Sequence, residues 1–158
     1  MKKVLFLFVA FFTITCNNLN GQTKNLDLEK KILTEGIVGH EIGKINDGKA
    51  VLTISKEIVN QGMHNLIIIP ADSERKNYHP NFNNSIIEKI EDTYYLRSKS
   101  DEGQITTTLL KLENNKLFVE GISCTSSSNE GGCIPEKDGL RCTSCDNLES
   151  ICTKTISR

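Results

Sequence analysis

The chain has 158 residues, of which 37% are hydrophobic and 25% charged, and a formal net charge of −1 at neutral pH. This length fits one domain and is too short for two of ordinary size, and the composition is not that of a disordered chain. The 19 basic and 20 acidic residues form no block of one sign. Because nucleic-acid-binding faces carry a basic stripe, nucleic acid is not a predicted partner.

The first residues predict a secretory signal peptide. Lys2 and Lys3 precede an apolar run from Val4 to Ile14. This run is too short to cross a bilayer core of roughly 30 Å, but it matches the apolar region of a signal peptide. We therefore assign residues 1–21 to the signal and expect an exported protein.

Two positions compete for the mature N-terminus. The residues Thr13-Ile14-Thr15-Cys16 resemble a bacterial lipoprotein box, and this resemblance implies a lipid on Cys16 that attaches the protein to a membrane. The alternative is cleavage after Gly21, which leaves Gln22 first and the protein free. Both alternatives place the protein in the bacterial cell envelope or outside the cell.

The segment TKNLDLEKKILTEG predicts a short amphipathic helix after the signal. Its apolar residues recur at partly helical spacing, and Gly36 provides a stop. We expect this N-terminal helix to cover one face of a sheet.

The next segment predicts a β-hairpin and then a strand. HEIGKI and KAVLTISKEI flank Asn46-Asp47-Gly48, and Asp-Gly favours the positive backbone angles of a tight turn. Residues 49–61 also fit a helix, since their apolar side chains recur at helical spacing, so strand and helix both remain open there. The run NLIIIP predicts a buried central strand ending at Pro70.

A polar loop is predicted over Ala71–Ser85, which carries Pro80 and several asparagines. Tyr78, His79 and Phe82 combine aromatic faces with neighbouring amides, chemistry that suits carbohydrate or peptide contacts. We expect these three residues to form the contact surface if the protein binds a partner. A solvated connector without a partner is the alternative.

Three β-rich runs follow and predict an antiparallel meander: IEDTYYLRSKS, ITTTLLKLE and KLFVEGISC. Short polar breaks separate them, and Asn114-Asn115 suits a two-residue turn. The predicted fold is α+β, with a small antiparallel sheet (a β-meander) and an N-terminal helix in a domain spanning residues 22–123.

Residues 124–158 form a cysteine-rich tail with too few apolar side chains for a core of its own. Its five cysteines predict disulfides in an exported chain and leave one thiol over, with the connectivity open. They are Cys124, Cys133, Cys142, Cys145 and Cys152.

Two alternative interpretations use the same cysteines. Cys142 and Cys145 have the spacing of a redox dithiol, although the charge of Asp146 opposes a lowered thiol pKa. They also have zinc-knuckle spacing, and Cys133 and Cys152 would complete a site of four sulfurs. The expected oxidising compartment favours disulfides over both.

No motif for catalysis is present, neither G-x-S-x-G nor H-E-x-x-H nor a phosphate-binding glycine loop. We therefore predict no catalytic residue, no metal ligand and no cofactor, and the three histidines are scattered along the chain. The predicted function is an exported envelope protein with a non-catalytic binding or structural accessory role. The alternative is a thiol-disulfide redox or zinc-binding protein that uses the C-terminal cysteines.

Overall fold

The structure, a computed structural model, describes residues 25–68, 79–127, 131–144 and 151–157. These residues form two helices and a seven-stranded sheet. In chain order the elements are α1 (25–35), β1 (Glu41–Asn46), β2 (Lys49–Leu52), α2 (Lys56–Leu66), β3 (Phe82–Ile90), β4 (Thr93–Ser100), β5 (Ile105–Glu113), β6 (Lys116–Ser126) and β7 (Cys152–Ile156).

The sheet is antiparallel throughout and curls into a nearly closed barrel. Its strand order is β2-β1-β6-β5-β4-β3, and β7 pairs with the C-terminal half of β6. The two end strands, β2 and β3, contact each other. Gly43 on β1 lets the Ile87 side chain of β3 lie directly against the β1 backbone. A Cβ at this position would overlap that side chain and would lie 2.8 Å from the Val51 carbonyl oxygen.

The predicted meander is confirmed, and β3 extends it to four consecutive strands. The β5–β6 turn is the predicted Asn114-Asn115 pair, with φ of 49° and 63°. Asparagine tolerates these left-handed angles better than most residues, because its short amide can bond to the local backbone.

The β1–β2 hairpin is also confirmed, and residues 49–61 divide between a strand and a helix. Asp47 and Gly48 form the turn with φ of 49° and 76°. β2 ends at Leu52, and α2 begins after Ser55, whose side chain accepts a 3.3 Å hydrogen bond from the Ile58 N–H. This cap satisfies one of the free donors of the first helical turn and sets the boundary between the two elements.

The buried strand predicted for NLIIIP is wrong over residues 65–68. Asn65 and Leu66 are the last residues of α2, and the Ile67 N–H bonds to the Met63 carbonyl, 3.0 Å away. Ile67 is buried and Ile68 is exposed, while Ile69 and Pro70 lie outside the described residues. A short apolar run at the buried end of a helix has the same composition as a buried strand. Periodicity alone therefore does not distinguish a helix from a strand in such a run.

Helix α1 covers the core, as predicted for the N-terminal helix, over the described residues 25–35. Ile32 is fully buried and Leu28 is partly buried against the same cluster. Gly36 follows at a φ of 97°, and its N–H bonds to the Ile32 carbonyl. The helix therefore ends where a residue without a Cβ can adopt the left-handed angle.

The interior of the barrel is apolar at one end and lined with hydroxyl groups at the other. Ser85 and Ser98 lie opposite each other on β3 and β4 with their Oγ atoms 2.8 Å apart. Thr106 bonds in the same way to Thr125 across β5 and β6. Because these buried hydroxyls satisfy one another, the sheet can contain a polar layer without unpaired groups at these positions.

Candidate functional site

The first candidate region is the outer face of β4–β6, which the C-terminal segment covers. The Tyr95 hydroxyl donates a 3.1 Å hydrogen bond to the Pro135 carbonyl, and Arg97 donates to the Gly131 carbonyl. Burial raises the pKa of the Tyr95 phenol. Residues 131–144 therefore pack on the sheet and contribute to the same folded unit.

Two disulfides hold this segment, and they confirm the staple prediction for four cysteines. Cys124 is joined to Cys142, and Cys133 is joined to Cys152. The two bridges alternate along the chain, so each closes a loop that contains one end of the other. The first ties β6 to the segment and the second ties the segment to β7.

The disulfide pairing bears on the two alternative cysteine interpretations. The redox interpretation requires a Cys142–Cys145 pair, but Cys142 is bonded to Cys124. The zinc interpretation requires thiolates on Cys133, Cys142 and Cys152, and all three sulfurs are oxidised. Cys145 and Cys16 lie outside the described residues.

The sulfurs of Cys124, Cys142 and Cys152 lie within 4.8 Å of one another. This proximity follows from strand register, since Cys124 pairs with Lys154 and Cys152 with Ser126 on the adjacent strands β6 and β7. Neighbouring disulfides on paired strands account for the cluster without a metal ion.

The second candidate region is an open groove of about 830 Å³ between α1 and the strands β1, β2 and β6, called the α1 groove below. It is lined by apolar side chains and lysines, and by the carboxylates of Asp27 and Glu41. The apolar residues are Leu28, Leu52 and Phe118, and the lysines are Lys31, Lys44 and Lys116.

The charges of the α1 groove are only partly paired. The Lys116 Nζ lies 2.6 Å from the Glu41 carboxylate. Within the described ranges, Lys31 and Lys44 take part in no ion pair, and the Thr53 hydroxyl has no hydrogen-bond partner. Among the described residues, the groove thus offers two lysines that form no ion pair, beside apolar surface and the carboxylate of Asp27.

The third candidate region joins two histidines that stand 15 residues apart in the sequence. His64 lies in the last turn of α2 and His79 precedes β3, and their ring centroids are 5.3 Å apart with an angle of 38° between the planes. The His64 Nδ1 lies 3.0 Å from the Pro80 carbonyl, and the His79 Nδ1 lies 2.8 Å from the His64 carbonyl. His64 and His79 therefore lie close together in the fold although 15 residues separate them in the sequence.

The two carbonyl bonds assign the tautomers of both rings. A carbonyl oxygen only accepts, so each Nδ1 carries a proton and donates it. In the neutral imidazole the Nε2 of each ring then keeps its lone pair. His79 is exposed and His64 is half-buried, so the pair is accessible to solvent.

The predicted contact surface is only partly described. Phe82 is 4% exposed and belongs to the hydrophobic core, so its predicted position in a surface loop is wrong. The reason is that β3 begins at Phe82, and strand alternation turns this ring into the barrel. His79 is exposed, Tyr78 lies outside the described residues, and a binding role for this surface stays a prediction.

The two disulfides indicate an oxidising environment of the kind found outside the cytoplasm. Neither helix in the described part of the chain is long and apolar enough to span a membrane. Comparison with models of known families, with curated proteins and with solved structures finds no match to this chain. The candidate sites therefore rest on their own geometry.

Proposed function

We propose that the protein is an exported bacterial envelope protein that binds a ligand without catalysis in the α1 groove. The observation that carries this proposal is one open groove that combines apolar lining residues with two lysines that form no ion pair within the described ranges. This chemistry suits an amphiphile with an apolar body and an anionic end, such as a fatty acid or another anionic lipid.

The apolar part of such a ligand would contact Leu28, Leu52 and Phe118. Burial of apolar surface contributes roughly 25 cal/mol per Å², which makes these side chains the main source of affinity. The volume of about 830 Å³ lies in the range of sites that hold small molecules.

The anionic end would lie near Lys31 and Lys44. Lys116 contributes less, because the Glu41 carboxylate already neutralises it. An ion pair in an open groove contributes up to about 1 kcal/mol, so the two lysines set the preference for anions more than the total affinity.

Replacing both lysines, Lys31→Gln with Lys44→Gln, is expected to weaken dodecanoate binding by about tenfold, since two exposed ion pairs together contribute about 1.4 kcal/mol. Isothermal titration calorimetry with dodecanoate measures the change. Dodecyltrimethylammonium, which has the same tail and the opposite charge, should bind the original protein much more weakly.

The matched control is Lys99→Gln with Lys137→Gln, which removes two exposed lysines that do not line the α1 groove. It should leave dodecanoate binding unchanged. Equal loss in both double variants, or no loss in the groove variant, would remove the support for this site.

We also propose that Cys16 carries a lipid that anchors the protein to a membrane, on the basis of the sequence around it. Cys16→Ala should abolish fatty-acid labelling and shift the protein from the membrane fraction to the soluble fraction. If the mature protein instead begins at Gln22 and is recovered from the medium, free secretion is correct.

A further inference from the structure

We propose that His64 and His79 form a binding site for a divalent transition-metal ion, such as Cu²⁺ or Zn²⁺, with the two Nε2 atoms as ligands. The proposal is independent of the α1 groove, because neither histidine lines it.

The first argument is that both rings are held by the bonds that metal-binding histidines need. A ligating histidine usually donates its other ring N–H to a carbonyl or carboxylate, which fixes the ring and raises the basicity of the ligating nitrogen. His64 has this bond to the Pro80 carbonyl, and His79 has it to the His64 carbonyl. Each Nε2 is therefore available without a change of tautomer.

The second argument is the distance between the rings. A metal–nitrogen bond of about 2.0 Å places the metal about 3.2 Å from each ring centroid. Centroids 5.3 Å apart then subtend an angle of about 110° at the metal, close to the tetrahedral value. The observed separation is therefore compatible with both rings binding one ion through Nε2.

The third argument is the polarity of the space beside His64. A cavity of about 300 Å³ is lined by His64, by the polar residues Glu57, Asn60, Gln61 and Asn81, and by Phe82. Two histidines leave open positions on the ion, which water fills, and these amide and carboxylate groups can accept hydrogen bonds from that water. The Glu57 carboxylate also adds negative charge near a cation.

The ligand set determines the class of ion. Imidazole nitrogens suit copper, zinc and nickel, whereas Mg²⁺ and Ca²⁺ require oxygen ligands. Among these divalent ions Cu²⁺ should bind most tightly, following the general order of affinities.

The test is a titration of the untagged protein with Cu²⁺, after alkylation of free thiols so that no thiolate contributes. Calorimetry should show one bound equivalent, and electron paramagnetic resonance should show splitting from two imidazole nitrogens. His79→Ala and His64→Ala should each weaken binding at least about tenfold and leave one nitrogen in the spectrum. Mg²⁺ should give no binding heat at the same concentrations.

The third histidine of the chain provides the matched control, because His40 lines the α1 groove, which neither His64 nor His79 lines. His40→Ala should bind Cu²⁺ as the original protein does. His79 is exposed, so its variant should keep the original circular dichroism and remain informative even if His64→Ala loses stability. The proposal fails if the two-nitrogen signal survives His79→Ala, or if His40→Ala abolishes it.

Discussion

Replacing Cys124 and Cys142 by serine is expected to lower the free energy of unfolding by about 3 kcal/mol, the entropy of closing a loop of this length in the unfolded chain. The two residues are 18 apart in sequence, and the second pair, Cys133 and Cys152, is 19 apart. The second pair should therefore contribute a similar amount. Removing both bridges should cost less than the sum, because the two closed loops overlap along the chain.

The loss should be largest in the C-terminal segment. Few apolar side chains hold residues 131–144 on the sheet, since Leu140 is exposed and the contacts of Tyr95 and Arg97 to the segment are hydrogen bonds to backbone carbonyls. Hydrogen exchange in this segment should accelerate more than in β4 and β5.

Urea unfolding measures the change in stability, and Cys145→Ser is the matched control, because none of the four paired cysteines is bonded to Cys145. This control should unfold at the same urea concentration as the original protein. A larger effect of Cys145→Ser than of Cys124→Ser with Cys142→Ser would contradict the observed pairing.

The second large effect is expected from Phe82→Ala, which should destabilise the protein by about 3 to 5 kcal/mol. Phe82 is 4% exposed and packs in the cluster that also contains Met63 and Leu96. Removing the ring leaves a cavity among side chains of β3, β4 and α2, and these elements can close it only partly. The midpoint of urea unfolding should fall while its denaturant dependence stays similar.

The control for this prediction lies on the same strand. Ile86 is 45% exposed on β3, so Ile86→Ala should cost less than about 1 kcal/mol. If Phe82→Ala were as mild as Ile86→Ala, the ring would not be a core residue, and the surface position predicted from the sequence would be correct.

The sequence alone determined the local elements of this fold. Asp47-Gly48 and Asn114-Asn115 form the predicted turns, Gly36 ends α1, and the β-rich runs form the meander. Each of these features depends on the backbone preferences of a few neighbouring residues or on a short alternating pattern, so no distant contact is needed to predict it.

Local sequence preference does not predict where the strand and helix within residues 49–68 begin and end, nor that Phe82 is buried. The same apolar spacing fitted a strand and a helix, and the choice depended on the Ser55 cap and on the packing of Val59 and Met63 against the core. The polar residues around Phe82 predict a loop, whereas the pairing of β3 with β4 turns its ring inward.

The disulfide pairing and the two candidate ligand sites depend on contacts between distant parts of the chain. The sequence showed five cysteines with open connectivity, and the position of residues 131–144 on the sheet places Cys142 beside Cys124 and Cys133 beside Cys152. His64 and His79 approach each other because α2 ends beside the start of β3, and the lysines of the α1 groove come from three separate elements. Such groupings depend on contacts between residues far apart in the chain, which composition and periodicity do not contain.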